Sequence, residues 1–204
     1  VSGVSIYHKP SIDFYFAKRA PMISDDTIFA VATPPGRSAI AVIRISGPKA
    51  GLSPELFTAK CPPAGQFRLA RLRVAGQLID EALILFMAAP RSSTGEDVCE
   101  FHCHGSIAVV QLILDILAKT AGFRLANAGE FIRRAFFNGK MDLLAVEGLA
   151  DVIEAETPNQ LHQAWSQIDG ALRGPVSEWR ADLISVAAQL ETLIDFADED
   201  LPDH

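Results

Sequence analysis

Thr94-Gly95-Glu96-Asp97-Val98-Cys99-Glu100-Phe101-His102-Cys103-His104-Gly105-Ser106 carries the pattern from which the fold class can be read. It is a short strand that ends in a glycine turn and leads into an apolar helix. Side chains along a strand alternate between faces, so Cys99, Phe101 and Cys103 share one side and Glu100, His102 and His104 the other. The first face is apolar and belongs to a core. The second carries a carboxylate and two imidazoles, and is the candidate working side. Ser106 is the predicted N-cap of a helix through Val109, Val110, Leu112, Ile113, Ile116 and Leu117. Free N–H groups at that helix start favour anionic or carbonyl oxygen atoms.

The 204 residues are 49% apolar, ample for a core. No uninterrupted apolar run reaches the roughly 18 residues of a membrane span. Three cysteines is an odd count, and two of them share a strand face, so reduced thiols and a cytoplasmic location are expected. The net charge of −7 is unevenly placed. Residues 1–142 hold sixteen Lys and Arg against twelve Asp and Glu, whereas residues 143–204 hold two against thirteen. An anionic ligand suits the first part, and the second is a poor partner for nucleic acid by itself.

Residues 1–23 show no clear period and lack the apolar h-region and cleavage site of a signal peptide. They are read as a disordered extension or as a start codon set upstream of Met22. From residue 24 to 142 the chain reads as one α+β domain with a mainly antiparallel sheet. Ile28–Ala32 and Ile40–Ile45 are strands separated by Thr33-Pro34-Pro35-Gly36-Arg37, a loop because two prolines cannot continue a ladder. Pro48–Phe57 is a short helical excursion. Phe67–Val74 and Leu78–Met87 form a hairpin around Ala75-Gly76-Gln77. After the helix of residues 106–121, Gly122 is a C-terminal stop, and Phe123–Ala126 a brief strand. A short helix runs from about Gly129 to Phe137, ended by Asn138-Gly139. Residues 143–204 are all helix. Asp142 caps the first, Thr157-Pro158 starts a second through Leu161, Trp165, Ile168 and Leu172, and Gly174-Pro175 is expected to interrupt it before an amphipathic run from Val176 to Phe196.

Cys99, His102, Cys103 and His104 invite a zinc reading, but cysteines and histidines face opposite sides of the strand and no second pair occurs at finger spacing. Cys–His nucleophilic catalysis fails for the same reason. No metal ligand and no catalytic residue is assigned. Gly139-Lys140 precedes Met141 rather than Ser or Thr, and no phosphate-binding P-loop exists in the chain. Three residues resist an ordinary placement. Arg44, in an apolar strand, is either a solvated strand-end charge or a residue with a partner. Glu100 either forms a salt bridge with an arginine or accepts two N–H groups from an amino-pyrimidine edge. Lys140 sits just past a helix C-terminus, where its charge complements the dipole whether or not it binds anything.

Taken in order, Asp26-Thr27-Ile28, Ala32-Thr33-Pro34-Pro35-Gly36-Arg37, Ile43-Arg44-Ile45-Ser46-Gly47, Thr94-Gly95-Glu96-Asp97, His102-Cys103-His104-Gly105, Gly129-Glu130-Phe131 and Asn138-Gly139-Lys140-Met141-Asp142 closely resemble the amino-terminal part of the tRNA uridine-modification GTPases of the MnmE (TrmE) family. The likeness runs from about Asp25 to Leu201. It implies a folate-binding and dimerisation domain over residues 24–142, similar to the folate domain of aminomethyltransferases, and the start of a helical domain, incomplete, over 143–204. It implies one-carbon tetrahydrofolate (5-formyl or 5,10-methylene) as cofactor, with Arg44, Glu100 and Lys140 as its contacts. The pterin is then expected on the polar face of the central strand, its donor edge on Glu100. It also implies a homodimer, a flavoprotein partner of the MnmG type, and modification of C5 of the wobble uridine of tRNA. GTP, Mg and K belong to a family domain outside this chain. Ser106 and Ala128 depart from the family's usual glycine and proline. The alternative is a stand-alone one-carbon folate-binding or aminomethyltransferase-type protein. A reading frame that encodes a helix and then a P-loop beyond His204 favours the first.

Apolar strands with little charge, Ile28–Val31 and Leu83–Met87, are expected to furnish the dimer interface. The helical part is expected to pack poorly without a partner. Limited proteolysis therefore cuts within residues 170–204 before residues 80–110; the reverse order places the boundary elsewhere.

Overall fold

The computed structural model describes residues 26–171 and 173–195. The chain divides into two compact units between Met141 and Asp142. The first is built on a six-stranded sheet: β1 (Thr27–Val31), β2 (Ser38–Ser46), β3 (Gln66–Val74), β4 (Gln77–Met87), β5 (Val98–Gly105) and β6 (Phe123–Leu125). The spatial order is β3-β4-β5-β2-β1-β6, and every pairing is antiparallel except that of β1 with β6. A 3-10 helix (Ala50–Phe57), α1 (Ile107–Lys119) and α2 (Glu130–Phe137) complete the unit. It is the α+β arrangement that the alternation of short runs predicts.

The period-two reading of β5 holds. Cys99, Phe101 and Cys103 lie in the main core with Phe29, Ile43, Ile45 and Ile84, closed by Ile113 and Leu117 of α1 and Phe57 of the 3-10 helix. Phe57 meets Phe101 edge to face, with ring centroids 5.6 Å apart. Ser106 occupies the N-cap position of α1, but its hydroxyl makes no bond to the helix. The two strands expected at a dimer interface are interior. β1 lies between β2 and β6, and β4 between β3 and β5, so their backbone groups are already paired. The edge strand on that side is β3, which exposes Phe67 (71%) and Leu69 (63%).

A buried ion cluster joins α2 to the sheet. Arg134, 5% exposed, donates to both Asp26 (2.8 Å) and Glu96 (3.0 Å), and lies 3.4 Å from Glu130 on its own helix. Arg124 of β6 binds Glu130 through Nη1 (2.8 Å) and Nη2 (2.6 Å) and pairs with Asp26 through Nε. Glu130 is 3% exposed and also accepts from the Asn127 backbone N–H at 2.8 Å. A buried charge is tolerable only when paired and hydrogen-bonded in this way.

In the second unit, α3 (Leu143–Glu154) starts at Asp142, whose carboxylate accepts from Ala145 N at 2.8 Å. α4 (Pro158–Ile168) starts at Thr157 in a capping box with Gln160. The expected interruption at Gly174-Pro175 is misplaced. α4 ends at Ile168, and Gly170 takes φ 90°, a conformation that costs glycine little. Gly174-Pro175 instead lies in the first turn of α5 (Arg173–Asp195), where a missing N–H breaks no helical bond. Leu172 and Phe196 lie outside the described residues. α5 exposes Trp179, Leu183, Leu190 and Ile194.

Hydrogen bonds from Arg124 hold the Glu130 carboxyl at about 2, well below its ordinary 4.5. A depressed carboxyl stabilises the fold above its unfolded value and loses that contribution as the pH falls toward the folded one. The window is therefore pH 4.5 down to about 2. The contribution is on the order of 2–3 kcal/mol, since Arg124 remains partly solvated. Glu130→Gln is expected to lower stability at pH 7 by that order and to flatten the acid limb of a denaturation-versus-pH curve. An unchanged limb would show that the carboxylate is not the group responsible.

Candidate functional site

The open face of the sheet gathers the polar residues of β5 and β2. Register places Arg44 opposite Glu100 on one side and opposite Ala30 on the other. Arg44 Nε donates to Glu100 Oε1 at 2.7 Å, and His102 Nε2 lies 3.1 Å from Glu100 Oε2. Each carboxylate oxygen therefore has one protein partner, leaving about two of its roughly four acceptor positions. Glu100 is buried, whereas the Arg44 side chain is 35% exposed. Arg44 uses only Nε on protein; its Nη groups have no hydrogen-bond partner among the described residues.

Beside this pair lies a cleft of about 480 Å³. Ala30 of β1, Ala32 just past its end, Arg44, Ala128, Phe131 and Ile132 line it. The Arg44 guanidinium carbon sits 5.9 Å from the Phe131 ring centroid, within cation–π reach. Phe131 owes that position to the ion cluster, since it comes directly after Glu130 at the start of α2.

Lys140 is not part of the Arg44–Glu100 pair. Its Nζ donates to Pro90 O at 3.0 Å, in the loop that precedes β5. The approach depends on Gly95, at φ 80°: a Cβ there would stand 2.8 Å from Asn138 Cβ and 3.2 Å from Lys140 Cγ. Asn138 Nδ2 completes the junction by donating to Thr94 O at 2.8 Å. So Thr94-Gly95 and Asn138-Gly139-Lys140 form one surface although 44 residues separate Asn138 from Thr94.

At the far end of β5, His104 Nδ1 lies 2.6 Å from Asp80 Oδ1, and its backbone N–H donates to Asp80 Oδ2 at 2.8 Å. The Asp80 hydrogen bond raises the pKa of this exposed imidazole above 6.5. The thiols are inert by contrast. Burial pushes Cys99 up to about 12 and Cys103 to about 11, far from a thiolate at neutral pH. Among the described residues no group of three His, Cys, Asp or Glu is placed to hold a metal, and no helix is long and apolar enough to cross a membrane.

The sequence reading set His102 on the working face without a partner and gave Phe131, Glu130 and Arg134 no role in the site. His102 and Phe131 brace Glu100 and Arg44, and Arg134 with Glu130 anchors the helix that carries Phe131. Glu130 and Arg134 carry a signal of a kind, being opposite charges four residues apart on one short helix. Nothing local marks their partners Asp26 and Glu96.

Comparison with known proteins matches both segments of the chain to one family. The family described as GTP-binding protein TrmE N-terminus matches residues 27–140, and the MnmE helical domain matches residues 143–204. The tRNA modification GTPase MnmE of Roseobacter denitrificans is 51% identical over 178 residues, 87% of this chain and 42% of that protein. Its namesake in Caulobacter vibrioides is 50% identical over 181 residues, 87% of this chain and 40% of that protein. The one in Rhodospirillum rubrum is 45% identical over 191 residues, with 87% and 42% covered. The chain thus spans about two fifths of the length of these curated relatives. With both segments matched in order, the chain belongs to the MnmE (TrmE) family of tRNA-modification GTPases, of which it carries the amino-terminal domain and helical-domain sequence.

Proposed function

We propose that residues 24–142 bind a one-carbon tetrahydrofolate, 5-formyl or 5,10-methylene, on the open face of the sheet. Within a full-length family protein in the cytoplasm, this domain serves modification at C5 of the wobble uridine of tRNA, together with a flavoprotein of the MnmG type. The observation that carries the reading is the Arg44–Glu100 pair, with spare acceptor positions on the buried carboxylate and open Nη groups on the arginine. A pterin edge offers adjacent N–H donors to Glu100, and its acidic tail needs cations. Arg44 supplies one. Lys140 supplies a second on exchanging the Pro90 carbonyl, a neutral acceptor, for a carboxylate.

Calorimetric titration with 5-formyltetrahydrofolate tests this. Glu100→Gln keeps the shape but turns an acceptor into a donor, and is expected to cost roughly 1–3 kcal/mol per unpaired ligand group, about tenfold or more in Kd. Arg44→Ala and Lys140→Ala weaken binding too. Glu96→Gln is an unsuitable control, because Glu96 is committed to Arg134 and Ser46. Glu81→Gln, an exposed carboxylate on β4 paired with Arg71, is expected to bind as wild type. A wild-type chain that is folded and shows no binding overturns the reading.

The homodimer belongs to the same proposal. Its support is the exposed Phe67 and Leu69 on the unpaired edge strand β3. Sedimentation over a concentration series is expected to show a dimer that Phe67→Glu weakens. A strict monomer at concentrations on the order of tens of micromolar refutes it.

A further inference from the structure

We infer that Asn138 is a positioning residue for Lys140. Its amide, clamped to the Thr94 carbonyl, fixes where the lysine presents its charge, and the Pro90 carbonyl is the exchangeable partner that the ligand displaces. The inference rests on the folate reading above and says how that site holds its second cation. An asparagine at a helix end ordinarily bonds its own local backbone. Asn138 ends α2, yet its Nδ2 donates away from the helix, to Thr94 O at 2.8 Å. The anchor it reaches is itself held. Thr94 is 1% exposed, and its hydroxyl lies 2.7 Å from Ser46 Oγ, which also donates to Glu96 at 2.8 Å. Ser46 belongs to β2, two residues beyond Arg44. The clamp therefore references Lys140 to the strand that carries the other cation of the site.

A lysine needs such a reference, because its stem is flexible and its ammonium is a compact point charge. The end of α2 settles the backbone. Lys140 N–H donates to Ala135 O at 2.8 Å and Gly139 N–H to Phe136 O at 3.1 Å, with Gly139 at φ 68°. The stem lies close over Gly95, where an added Cβ would stand 3.2 Å from Lys140 Cγ. Only the ammonium is left to exchange. Lys140 is exposed, and its Nζ donates to Pro90 O at 3.0 Å, a neutral acceptor that a ligand carboxylate outcompetes. Because Asn138 holds Thr94 rather than Pro90, that exchange leaves the junction of α2 with the loop before β5 intact. Backbone and stem ordered before association lower the ordering cost of binding.

The test is a double-mutant cycle on the full chain, read by calorimetry with 5-formyltetrahydrofolate and with a tetrahydropterin that lacks the aminobenzoyl-glutamate tail. Lys140→Ala is expected to weaken the tailed ligand about tenfold and Asn138→Ala at least about threefold, with the double variant no weaker than Lys140→Ala alone. The tail-less pterin is expected to bind all three variants as it binds wild type, a result that general loosening of the domain would not give. Where that pterin binds too weakly to measure, the cycle alone decides. Should Asn138→Ala fail to fold, Asn138→Ser, too short to reach Thr94 O, takes its place. If Lys140→Ala weakens binding while Asn138→Ala does not, or if the two losses multiply, the positioning role is wrong and the folate reading stands. If Asn138→Ala weakens both ligands alike, Asn138 is structural and the inference fails. If Lys140→Ala binds as wild type, there is no cation to position and the inference falls, while Glu100→Gln still tests the folate reading. If wild type itself does not bind, both fall.

Discussion

The buried guanidinium of Arg134 holds the first unit to one arrangement. It draws together Asp26 at the start of β1, Glu96 in the turn before β5 and Glu130 on its own helix. Arg124 closes the circuit by binding Glu130 and Asp26. Removing one member of such a cluster strands its partners, so the five residues act as a unit. Its consequence is positional. α2 is only eight residues long, too short to hold itself, and the cluster fixes where both of its ends point. The amino end presents Phe131 to Arg44, and the carboxy end delivers Asn138-Gly139-Lys140 onto Gly95.

The central strand has the complementary role. Alternation along β5 sends Cys99, Phe101 and Cys103 into the core and leaves Glu100, His102 and His104 on the open face. Antiparallel pairing with β2 then sets Arg44 directly across from Glu100, where the two charges meet at 2.7 Å. A slip of one residue in that register would bury the charges and expose the core row. Chemistry and packing therefore specify the same register. The two β5 thiols are committed to packing, and their raised pKa values result from that burial.

The helical unit obeys local rules at its starts and departs from the expected one at its break. Asp142 and Thr157 cap α3 and α4 as their residue types dictate. The break before α5 falls at Gly170, although Gly174-Pro175 is the stronger local signal. A proline interrupts a helix only where a preceding turn would have used its N–H. In a first turn that N–H has no partner to lose.

Short-range physics is what the residues alone make legible. Strand alternation, helix caps and proline loops are each written within a few residues, so the α+β class and the two faces of β5 can be read from that pattern. The family can be read from motifs in order. The remainder needed the folded chain. Whether Glu100 pairs with Arg44, Arg37 or Arg134 depends on strand order, which no local pattern encodes. The interior position of β1 and β4 is invisible for the same reason: an apolar run looks alike in a central strand and at an interface, and only its neighbours distinguish them. Phe131 reads as one more apolar residue on a short helix. It becomes the wall of a cleft because the charges at positions 124, 130 and 134 meet those at 26 and 96, which are distant along the chain, and the buried ones among them are tolerable only when paired.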